Sequence, residues 1–401
     1  MHGVRKAPDH AVPRVRFEDA YGNNRRVSAN DERLRVALLD SIPAWGGGQK
    51  WDVQTAQVLT QRGHFVALAC ARGSALAARA AQHGLPTWTA AVGRFGWRFG
   101  SSLTLAAYLR DQGIDLVVAN VGRDVRLGAL SCRLAGAALL QRRGLLRPVR
   151  RGPWNRWLLT HQVRRVLVNS PALERVTLES APYLAGRVIL IPNAALVREP
   201  DPAAAARLRA ELSVAPGAPL VAAAGRLTAM KGFVHLLDAW PRVLARQPAA
   251  RLVLFGEGEL EGALRERAER LGVASSVCFA GFRDDVTALY AAADVFALPS
   301  VRDESMSHAV LEAMASGCAV VVSDVASGGF EAARERDACR VVATGDAEAL
   351  AHALTELLSD PALRAGIGQR AQAFVRSEHS LERATDRLEA ILRAVRDEAR
   401  S

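Results

Sequence analysis

Two carboxylates beside a predicted helix start are the residues best placed to do chemistry in this chain. Glu304 and Glu312 are separated by seven residues. The apolar run 295–298 before them predicts a buried parallel strand, which Pro299 ends because proline cannot donate a hydrogen bond to a neighbouring strand. Glu304 therefore follows the carboxyl end of a strand, and Glu312 lies about two helical turns further along.

A helix should follow that strand, with Ser305 or Ser307 as its N-terminal cap and Gly317 as the left-handed residue after its end. The first N–H groups of a helix have no partner within the helix and carry a partial positive charge. Phosphate binds well at such a place. The sequence therefore predicts an anion site beside two acids, with solvated acids near a helix as the alternative.

Arg226 and Lys231 stand five residues apart on the loop between a predicted strand and a helix that should begin near Lys231. Two cations at this spacing can hold both phosphates of a diphosphate. Lys231 is also a rare lysine in a chain that otherwise uses arginine, which favours a role for a compact ammonium group. An exposed cation at a helix start is the alternative.

Glycines follow two further predicted strands, with Gly47 and Gly48 after the first strand of the chain and Gly256 and Gly258 after the strand 252–255. Glycine permits a positive φ and the close approach of a ligand. Each pair is therefore expected to lie against a phosphate or a sugar, with a plain connecting turn as the alternative. The second pair lacks the spacing of a dinucleotide fingerprint.

The length of 401 residues fits two domains, each with its own core. No apolar run approaches the roughly 20 residues needed to span a bilayer. Residues 1–32 are predicted to form a basic, disordered extension, and they lack the apolar segment of a signal peptide. Five scattered cysteines without a Cys-x-x-Cys pair fit a reducing compartment. We expect a cytoplasmic protein, with attachment to the inner face of the plasma membrane as a further option.

Charge is divided unevenly along the chain. Residues 1–200 contain 29 basic and 13 acidic side chains, a net charge of +16, and residues 201–401 contain 23 and 28, a net charge of −5. A basic N-terminal half indicates an anionic acceptor or a membrane surface, with solvated surface as the alternative.

Short apolar runs alternate with helical patterns, which predicts two parallel sheets covered by helices. The predicted strands are 34–39, 65–69, 116–119, 137–140, 166–169 and 188–191, followed by 220–224, 252–255, 277–280, 295–298, 319–322 and 340–342. We predict an α/β fold of two Rossmann-like domains, 33–192 and 203–378, that face a cleft. Residues 193–202 are the predicted linker, and a helix in 379–401 should cross back to the first domain.

The order of these motifs resembles that of the retaining nucleotide-sugar glycosyltransferases of the GT-B fold, in the family 4-like, group 1 class. The resemblance is specific between residues 220 and 323, where the chain reads AAAGRLTAMKG, LFGEGELEGAL, FAGFRDDVTALYAAADVFALPS and ESMSHAVLEAMASG. It is looser in the first domain, at LLDSIPAWGGGQKW and LVNSPALERV. The class contains many bacterial lipopolysaccharide-core and cell-wall transferases.

The resemblance implies a role for each matching residue. Glu304 matches the acid that contacts the hydroxyls of the donor sugar, and Glu312 matches the acid that binds the ribose. Arg226 and Lys231 match the pair that neutralises the departing diphosphate, in the place of a metal ion. The backbone facing the same region belongs to Ser305, Met306, Ser307 and His308. No metal and no cofactor are expected beyond the nucleotide-diphosphate sugar as co-substrate, since no Asp-x-Asp occurs.

The chain departs from the class at two places. Many relatives have a histidine after a first-domain strand, where this chain has Asn120, Arg123 and Asp124. Asp124 is expected either to orient the acceptor hydroxyl or to cap the next helix, and Arg123 to bind an acceptor phosphate. Relatives often read Pro-Asn-Gly at the linker, whereas alanine follows Asn193 here, so a role for Asn193 is doubtful.

Residues 142–165 are predicted to form an arginine-rich surface, because they contain eight arginines, two tryptophans and no acid. This composition suits an anionic, lipid-linked acceptor at a membrane surface. Arg142 and Arg143 are the acceptor candidates within it. Nucleic acid is not expected as a partner, since no recognised binding module accompanies the arginines.

These observations predict a glycosyltransferase of the hexosyl- or heptosyl-transferring class. It would move a sugar from a nucleotide-diphosphate sugar to lipopolysaccharide core, another cell-envelope glycan or a glycolipid, with retention and without a metal. Retention is implied by the resemblance alone. A sugar-nucleotide epimerase or hydrolase of the same fold, and a non-catalytic binder of acidic glycans, are the alternatives.

Overall fold

Among the residues that the structure describes, the N-terminal half contains nine strands, and seven of them form one parallel sheet. The strands are β1 Arg35–Asp40, β2 Phe65–Ala71, β3 Thr87–Ala90, β4 Val92–Gly93, β5 Gly96–Trp97, β6 Leu116–Ala119, β7 Ala138–Arg143, β8 Val163–Val168 and β9 Val188–Leu190. The sheet has the order β3-β2-β1-β6-β7-β8-β9, and β4 and β5 form a separate antiparallel pair. Every residue of β2 is buried, as expected for a parallel strand with helices on both faces.

A second parallel sheet of six strands lies in the C-terminal half. Its strands are β10 Leu220–Ala224, β11 Arg251–Phe255, β12 Val277–Gly281, β13 Val295–Leu298, β14 Ala319–Ser323 and β15 Arg340–Val342. They have the order β12-β11-β10-β13-β14-β15. The two sheets confirm the predicted α/β fold with two Rossmann-like units.

Fifteen α-helices connect and cover these strands in the part of the chain that the structure describes. In the N-terminal half they are α1 Gly47–Gln61, α2 Ala75–Gln82, α3 Ser101–Asp111, α4 Gly122–Ala135, α5 Pro153–His161 and α6 Pro171–Ser180. In the C-terminal half they are α7 Pro202–Glu211, α8 Phe233–Arg246, α9 Glu261–Arg270, α10 Val286–Ala292, α11 His308–Ala315, α12 Glu331–Glu335, α13 Ala347–Ser359, α14 Pro361–Glu378 and α15 Leu381–Arg400.

The structure is a computed structural model, and it describes residues 33–93, 96–97, 100–197, 199, 201–283, 286–325 and 329–401. The predicted basic extension, residues 1–32, lies outside these residues. From Leu34 to Ser401 the chain forms one compact unit, in which the two halves contact each other.

Strand order reverses once in each sheet, between β1 and β6 and between β10 and β13. In open parallel sheets, ligands bind beyond the carboxyl ends of the strands at such a reversal. The predicted Gly47 and Gly48 follow β1, Arg226 and Lys231 follow β10, and Glu304 follows β13. The fold therefore places the predicted site residues at the two reversal points.

The last helix, α15, confirms the predicted return to the N-terminal half. Its residues Leu388, Leu392 and Val395 are buried in the same apolar cluster as strand β1 and helix α1. Glu389 of this helix accepts a hydrogen bond from Arg62 at 3.0 Å. The helix therefore fastens the C-terminal half to the core of the N-terminal half.

The structure adds detail to two predicted connections. The connection before Ser101 contains the strand Thr87–Ala90, which pairs with β2 at the edge of the sheet and was missed because it is short and contains two threonines. The predicted linker 193–202 begins with three buried residues, Asn193, Ala194 and Ala195. Frequent prolines indicate the absence of a regular helix or strand, but they do not report burial.

Candidate active site

Lys231 and Glu304 meet at the reversal point of the C-terminal sheet. The Lys231 ammonium forms an ion pair with Oε2 of Glu304. Ser300 also donates a hydrogen bond to this oxygen at 3.1 Å. Only 15% of the Lys231 side chain and 10% of the Glu304 side chain are exposed. The structure therefore joins the predicted cation and the predicted acid into one pair that bulk water screens only weakly.

Gly232 explains how the loop after β10 comes close enough to form this pair. Its φ of +67° is in the left-handed region, and an added Cβ would overlap the carbonyl oxygen of Pro299. Only glycine fits such a contact without strain. The left-handed residue also separates the 3-10 turn Ala229–Lys231 from α8, which begins at Phe233, two residues after the predicted start near Lys231.

Glu312, on α11, is held by two partners. Its Oε1 forms an ion pair with Lys50, which belongs to α1 of the N-terminal half. Its Oε2 accepts a hydrogen bond from the Tyr290 hydroxyl at 3.3 Å. Burial, and then the charge of Glu312, raise the pKa of Tyr290 well above its usual value, so this hydroxyl remains a donor. Lys50 was not predicted as a site residue, because only the folded chain brings it next to Glu312.

The residues between the two acids contact the N-terminal half. Ser305 donates a hydrogen bond to Oδ1 of Asn169 at 2.6 Å and shares another with Ser170 at 2.7 Å. Asn193 donates to the Met306 carbonyl at 2.8 Å. Ser307 is the N-cap residue of α11, but its side chain makes no capping hydrogen bond. Ser307 therefore holds the predicted N-cap position but lacks the side-chain hydrogen bond of a cap, and the Ser305 hydroxyl bonds across to the other half.

His308 is buried where the two halves meet. Burial, together with the charges of Arg142 and Lys50, lowers its pKa from 6.5 to about 3. The imidazole is therefore neutral at physiological pH. A Cβ added to Gly47 would lie 3.1 Å from Cδ2 of this ring, so a glycine at position 47 allows the start of α1 to approach α11.

Arg226 is exposed, and its side chain makes no hydrogen bond or ion pair with another residue of the described ranges. It lies on the same loop as Lys231, five residues earlier. Its guanidinium is therefore available to an anion, whereas the Lys231 ammonium is shared with Glu304. The predicted pairing of these two cations on a diphosphate stays a prediction.

Gly256 and Gly258 contact a neighbouring loop of the same sheet. Gly256 has a φ of +132°, and an added Cβ would overlap the carbonyl oxygen of Gly225. A Cβ on Gly258 would overlap the carbonyl of Leu227. These contacts account for glycine at both positions through the packing of the loops after β10 and β11. The predicted contact of both glycines with a ligand stays a prediction.

A polar cluster that the sequence analysis missed lies at the reversal point of the N-terminal sheet. Asp40 accepts hydrogen bonds from Gln49 at 2.7 Å and from Asn120 at 3.0 Å. Asn120 also donates to Asp52 at 2.8 Å. Complete burial, and then the charge of Asp40, raise the pKa of Asp52 well above its usual range. A polar residue directly after a buried strand, as Asp40 and Asn120 are, was the available signal.

Arg142 links this cluster to the C-terminal half. Its guanidinium donates to Asn193 at 2.9 Å and lies 4.3 Å from the ring centre of Trp51. Burial lowers its pKa to about 10, against the charges of Asp52 and Asp40, and it remains protonated. Arg142 is therefore not part of an exposed basic surface, contrary to the prediction. Asn193, for which the sequence suggested no clear role, accepts the hydrogen bond from Arg142 and donates to the Met306 carbonyl of the C-terminal half.

The two other acceptor candidates near β6 bind the loop after β1. The Asp124 carboxylate is fully buried and accepts from the N–H groups of Ser41 and Val121, at 3.2 and 3.3 Å. This geometry supports the helix-capping alternative. Arg123 donates to the Ser41 carbonyl at 2.9 Å. The predicted contact of either residue with an acceptor stays a prediction.

Half of the predicted arginine-rich surface is engaged in contacts within the protein. Arg143 is half-buried and donates to the carbonyl of Arg147, and Arg147 lies 2.5 Å from the Asp303 carboxylate of the C-terminal half. Arg165 lies 2.5 Å from Glu398 of α15. With the buried Arg142, four of the eight arginines therefore make contacts within the protein, although Arg147 stays exposed.

The exposed remainder of this segment includes two stacked tryptophans. Trp154 and Trp157 are 62% and 40% exposed, with ring centres 5.0 Å apart. Four exposed arginines accompany them, namely Arg150, Arg151, Arg156 and Arg164. We call these six residues the Trp–Arg face. Among the residues that the structure describes, no helix combines the length and apolar character needed to span a bilayer.

Comparison with known families identifies both halves of the chain. Residues 45–195 match the family described as Glycosyltransferase Family 4, and residues 205–374 match the family described as Glycosyl transferases group 1. The first match contains Gln49, Asp52 and Asn120 of the polar cluster, and the second contains Arg226, Lys231, Glu304 and Glu312.

Individual relatives agree with these families. The chain is 35% identical over 178 residues to the lipopolysaccharide core biosynthesis glycosyltransferase LpsE of Rhizobium meliloti, which is 44% of this chain and 51% of LpsE. It is 34% identical over 195 residues to a GDP-mannose-dependent monoacylated alpha-(1-6)-phosphatidylinositol monomannoside mannosyltransferase of Corynebacterium glutamicum, 46% of this chain and 50% of that protein. The chain therefore spans about half the length of these relatives.

Solved structures show the same fold over most of the chain. Anabaena HepE, crystallised with UDP and glucose, has a TM-score of 0.79 at 22% identity and covers 90% of this chain and 99% of its own. WaaG, a glycosyltransferase involved in lipopolysaccharide biosynthesis, has a TM-score of 0.67 at 17% identity, over 89% and 99% of the two chains. At these identities the likeness concerns the fold alone.

Proposed function

The chain belongs, through its two halves, to glycosyltransferase family 4 and glycosyl transferases group 1, and from this membership we propose that it is a glycosyltransferase. It moves a hexosyl or heptosyl group from a nucleoside-diphosphate sugar to a glycan or lipid-linked acceptor of the cell envelope, such as lipopolysaccharide core. Transfer proceeds with retention and without a metal ion. The names of LpsE and the mannosyltransferase support the acceptor class.

The pairing of Lys231 with Glu304 is the observation that carries this proposal. It places a cation and a carboxylate side by side at the reversal point of the C-terminal sheet, with Arg226 on the same loop as Lys231. A sugar hydroxyl donates to a carboxylate, while a diphosphate accepts from cations. One site therefore has the chemistry for both ends of the bond that breaks.

The leaving diphosphate gains negative charge as its bond to the sugar breaks. Arg226 and Lys231 stabilise that charge, and they do so more in the transition state than in the ground state. The start of α11 adds its partial positive charge. Two cations and a helix start thus supply the stabilisation that a metal ion gives in other reactions with a diphosphate leaving group. Glu304 holds the sugar so that the bond is aligned.

Substitution of the paired residues tests this activity. Lys231→Ala and Glu304→Ala should each reduce the transfer rate by roughly a hundredfold or more, since loss of one such contact costs about 3 kcal/mol of transition-state stabilisation. Donors are first identified by a thermal-shift screen with UDP-, GDP- and ADP-sugars, because a ligand that binds the folded state raises the unfolding temperature.

The exposed Glu335→Ala variant is the matched control, and it should retain the wild-type rate. Near-normal turnover in either site variant would defeat the assignment. Donor cleavage that does not depend on an acceptor would favour the hydrolase or epimerase alternative. The anomeric configuration of the product, measured by NMR, tests retention.

The Trp–Arg face supports a proposal for the acceptor side. Exposed tryptophans favour the boundary between water and lipid, and arginines favour anionic headgroups. We propose that this face contacts an anionic membrane surface, where a lipid-linked acceptor would be found. The protein would then be peripheral, on the inner face of the plasma membrane.

Vesicle binding tests the membrane contact. The double substitution Arg150→Ser/Arg151→Ser should weaken binding to phosphatidylglycerol vesicles by about thirtyfold, at roughly 1 kcal/mol per arginine, and flatten its salt dependence. Arg147 is left unchanged in this variant, because its pair with Asp303 joins the two halves. Arg242→Ser/Arg246→Ser, on exposed α8 positions, is the charge-matched control. Equal vesicle binding by the Arg150/Arg151 variant and by the Arg242/Arg246 control would reject the proposal.

A further inference from the structure

Lys50 is the basic residue by which the N-terminal half contacts Glu312. Its ammonium pairs with Oε1 of that acid, with 25% of the Lys50 side chain and 15% of the Glu312 side chain exposed. The opposite oxygen, Oε2, accepts from Tyr290 of the C-terminal half. The orientation of the carboxylate is therefore determined by one partner from each half of the chain.

The first turn of α1 holds Lys50 in place. Gln49 donates to the buried Asp40 at 2.7 Å. Gly47, three positions before Lys50, lies against His308, at the start of the helix that carries Glu312. The backbone that carries Lys50 is thus fixed both to its own sheet and to α11. Because both paired side chains are also mostly buried, the ion pair costs less side-chain entropy than one between two mobile surface residues.

We propose that Lys50 is a positioning residue of the donor site, which orients the Glu312 carboxylate toward the nucleotide's ribose and makes this orientation depend on contact between the two halves. The inference rests on the proposed function, in which Glu312 binds the ribose. An ionised carboxylate has about four acceptor positions. Lys50 and Tyr290 use two, and two remain for the ribose hydroxyls.

Direct binding of the diphosphate by Lys50 is the competing role, and the two roles predict different ligand dependence. A residue that acts through Glu312 affects ligands that contain ribose. A residue that binds phosphate affects inorganic pyrophosphate to the same extent. Comparison of these two ligands therefore separates positioning from direct contact.

Calorimetric titration of the full chain with UDP, GDP, ADP and pyrophosphate provides the test. For the nucleotide that binds best, Lys50→Met should weaken affinity about tenfold, the value of one charge-assisted hydrogen bond. Pyrophosphate affinity should change less than twofold. Lys50→Arg should restore most of the nucleotide affinity. The double variant Lys50→Met/Glu312→Gln should bind no more weakly than Glu312→Gln alone, because Lys50 acts through Glu312.

Arg72→Met removes a positive charge from an exposed position of the same half and should leave nucleotide affinity unchanged. The proposal is overturned if Lys50→Met binds the nucleotide as the wild type does, if pyrophosphate affinity falls equally, or if the losses in the double variant add. A wild-type chain that binds none of the three nucleotides would instead defeat the proposed function, and the role of Lys50 with it. Urea unfolding of each variant identifies any loss due to misfolding.

Discussion

At the scale of single residues, His308 shows how burial controls the chemistry of this site. It is surrounded by the cations Arg142, Lys50 and Lys231, all of which disfavour the imidazolium form. A protonated His308 would add a further charge where a buried group already costs free energy. The ring therefore acts as a neutral packing surface between the halves, and its protonation should destabilise the fold.

Lowering the pH should reveal the free-energy cost of protonating His308. Between pH 6.5 and about 3 the unfolded chain binds a proton at position 308 that the folded chain does not bind, so stability falls as pH decreases through this range. From pH 6.5 to pH 5, His308 should account for about 2 kcal/mol of lost unfolding free energy, at 1.36 kcal/mol per pH unit. Urea unfolding of the wild type and of His308→Gln, at both pH values, measures it.

The His308→Gln variant should lose less stability than the wild type when the pH is lowered from 6.5 to 5. His352→Gln is the control, because His352 is exposed on α13, and it should follow the wild-type pH dependence. An identical loss in wild type and His308→Gln would show that the ring is not held neutral by its surroundings.

At the scale of elements, glycines allow the strand-end loops to pack against each other. Gly232 lies against Pro299, and Gly256 against Gly225, each with a positive φ and no room for a side chain. The loop after β10 is therefore held between the loops after β13 and β11. This packing fixes the backbone that carries Arg226 and Lys231, and such fixed geometry is what transition-state stabilisation requires.

Gly256→Ala should therefore destabilise the protein by roughly 2–5 kcal/mol, from overpacking and backbone strain together. Donor affinity should fall as well, because the Arg226 loop must shift. Gly262→Ala is the matched control, since a Cβ there meets no atom within 4 Å and alanine favours the helix. The unfolding midpoint in urea distinguishes them, and equal midpoints would contradict the packing argument.

At the scale of the whole molecule, α15 makes the two halves depend on each other. It follows the C-terminal half directly in the chain, yet Leu388, Leu392 and Val395 complete the core of the N-terminal half. Ion pairs of Arg62 with Glu389 and of Arg165 with Glu398 surround this contact. Loss of the helix would expose apolar surface on both sides.

Leu392→Ala should lower the unfolding free energy by about 2–5 kcal/mol, the usual cost of a cavity at a fully buried leucine. Leu103→Ala is the control, because Leu103 is 61% exposed, and it should cost less than about 0.5 kcal/mol. Chemical unfolding of both variants gives the comparison. A wild-type midpoint for Leu392→Ala would show that α15 does not stabilise the molecule.

Local patterns predicted much of this fold because periodicity and proline or glycine punctuation act over short distances. The strands Leu116–Ala119, Leu220–Ala224, Val295–Leu298 and Arg340–Val342 have their predicted boundaries. The edge strand Thr87–Ala90 was missed, since a short run with two threonines has no distinctive pattern. Burial of the linker start at Asn193 was also missed, since burial there depends on residues from elsewhere in the chain.

The sequence by itself determined which residues follow the strand ends, and it thereby identified Glu304, Glu312, Arg226 and Lys231 as a group. Only the tertiary structure decided their partners. Lys50 contacts Glu312, and Asn193 joins Arg142 to the Met306 carbonyl, because two sheets and a returning helix bring distant segments together. Such contacts depend on which elements pack together, and the local spacing of residue types does not reveal that packing.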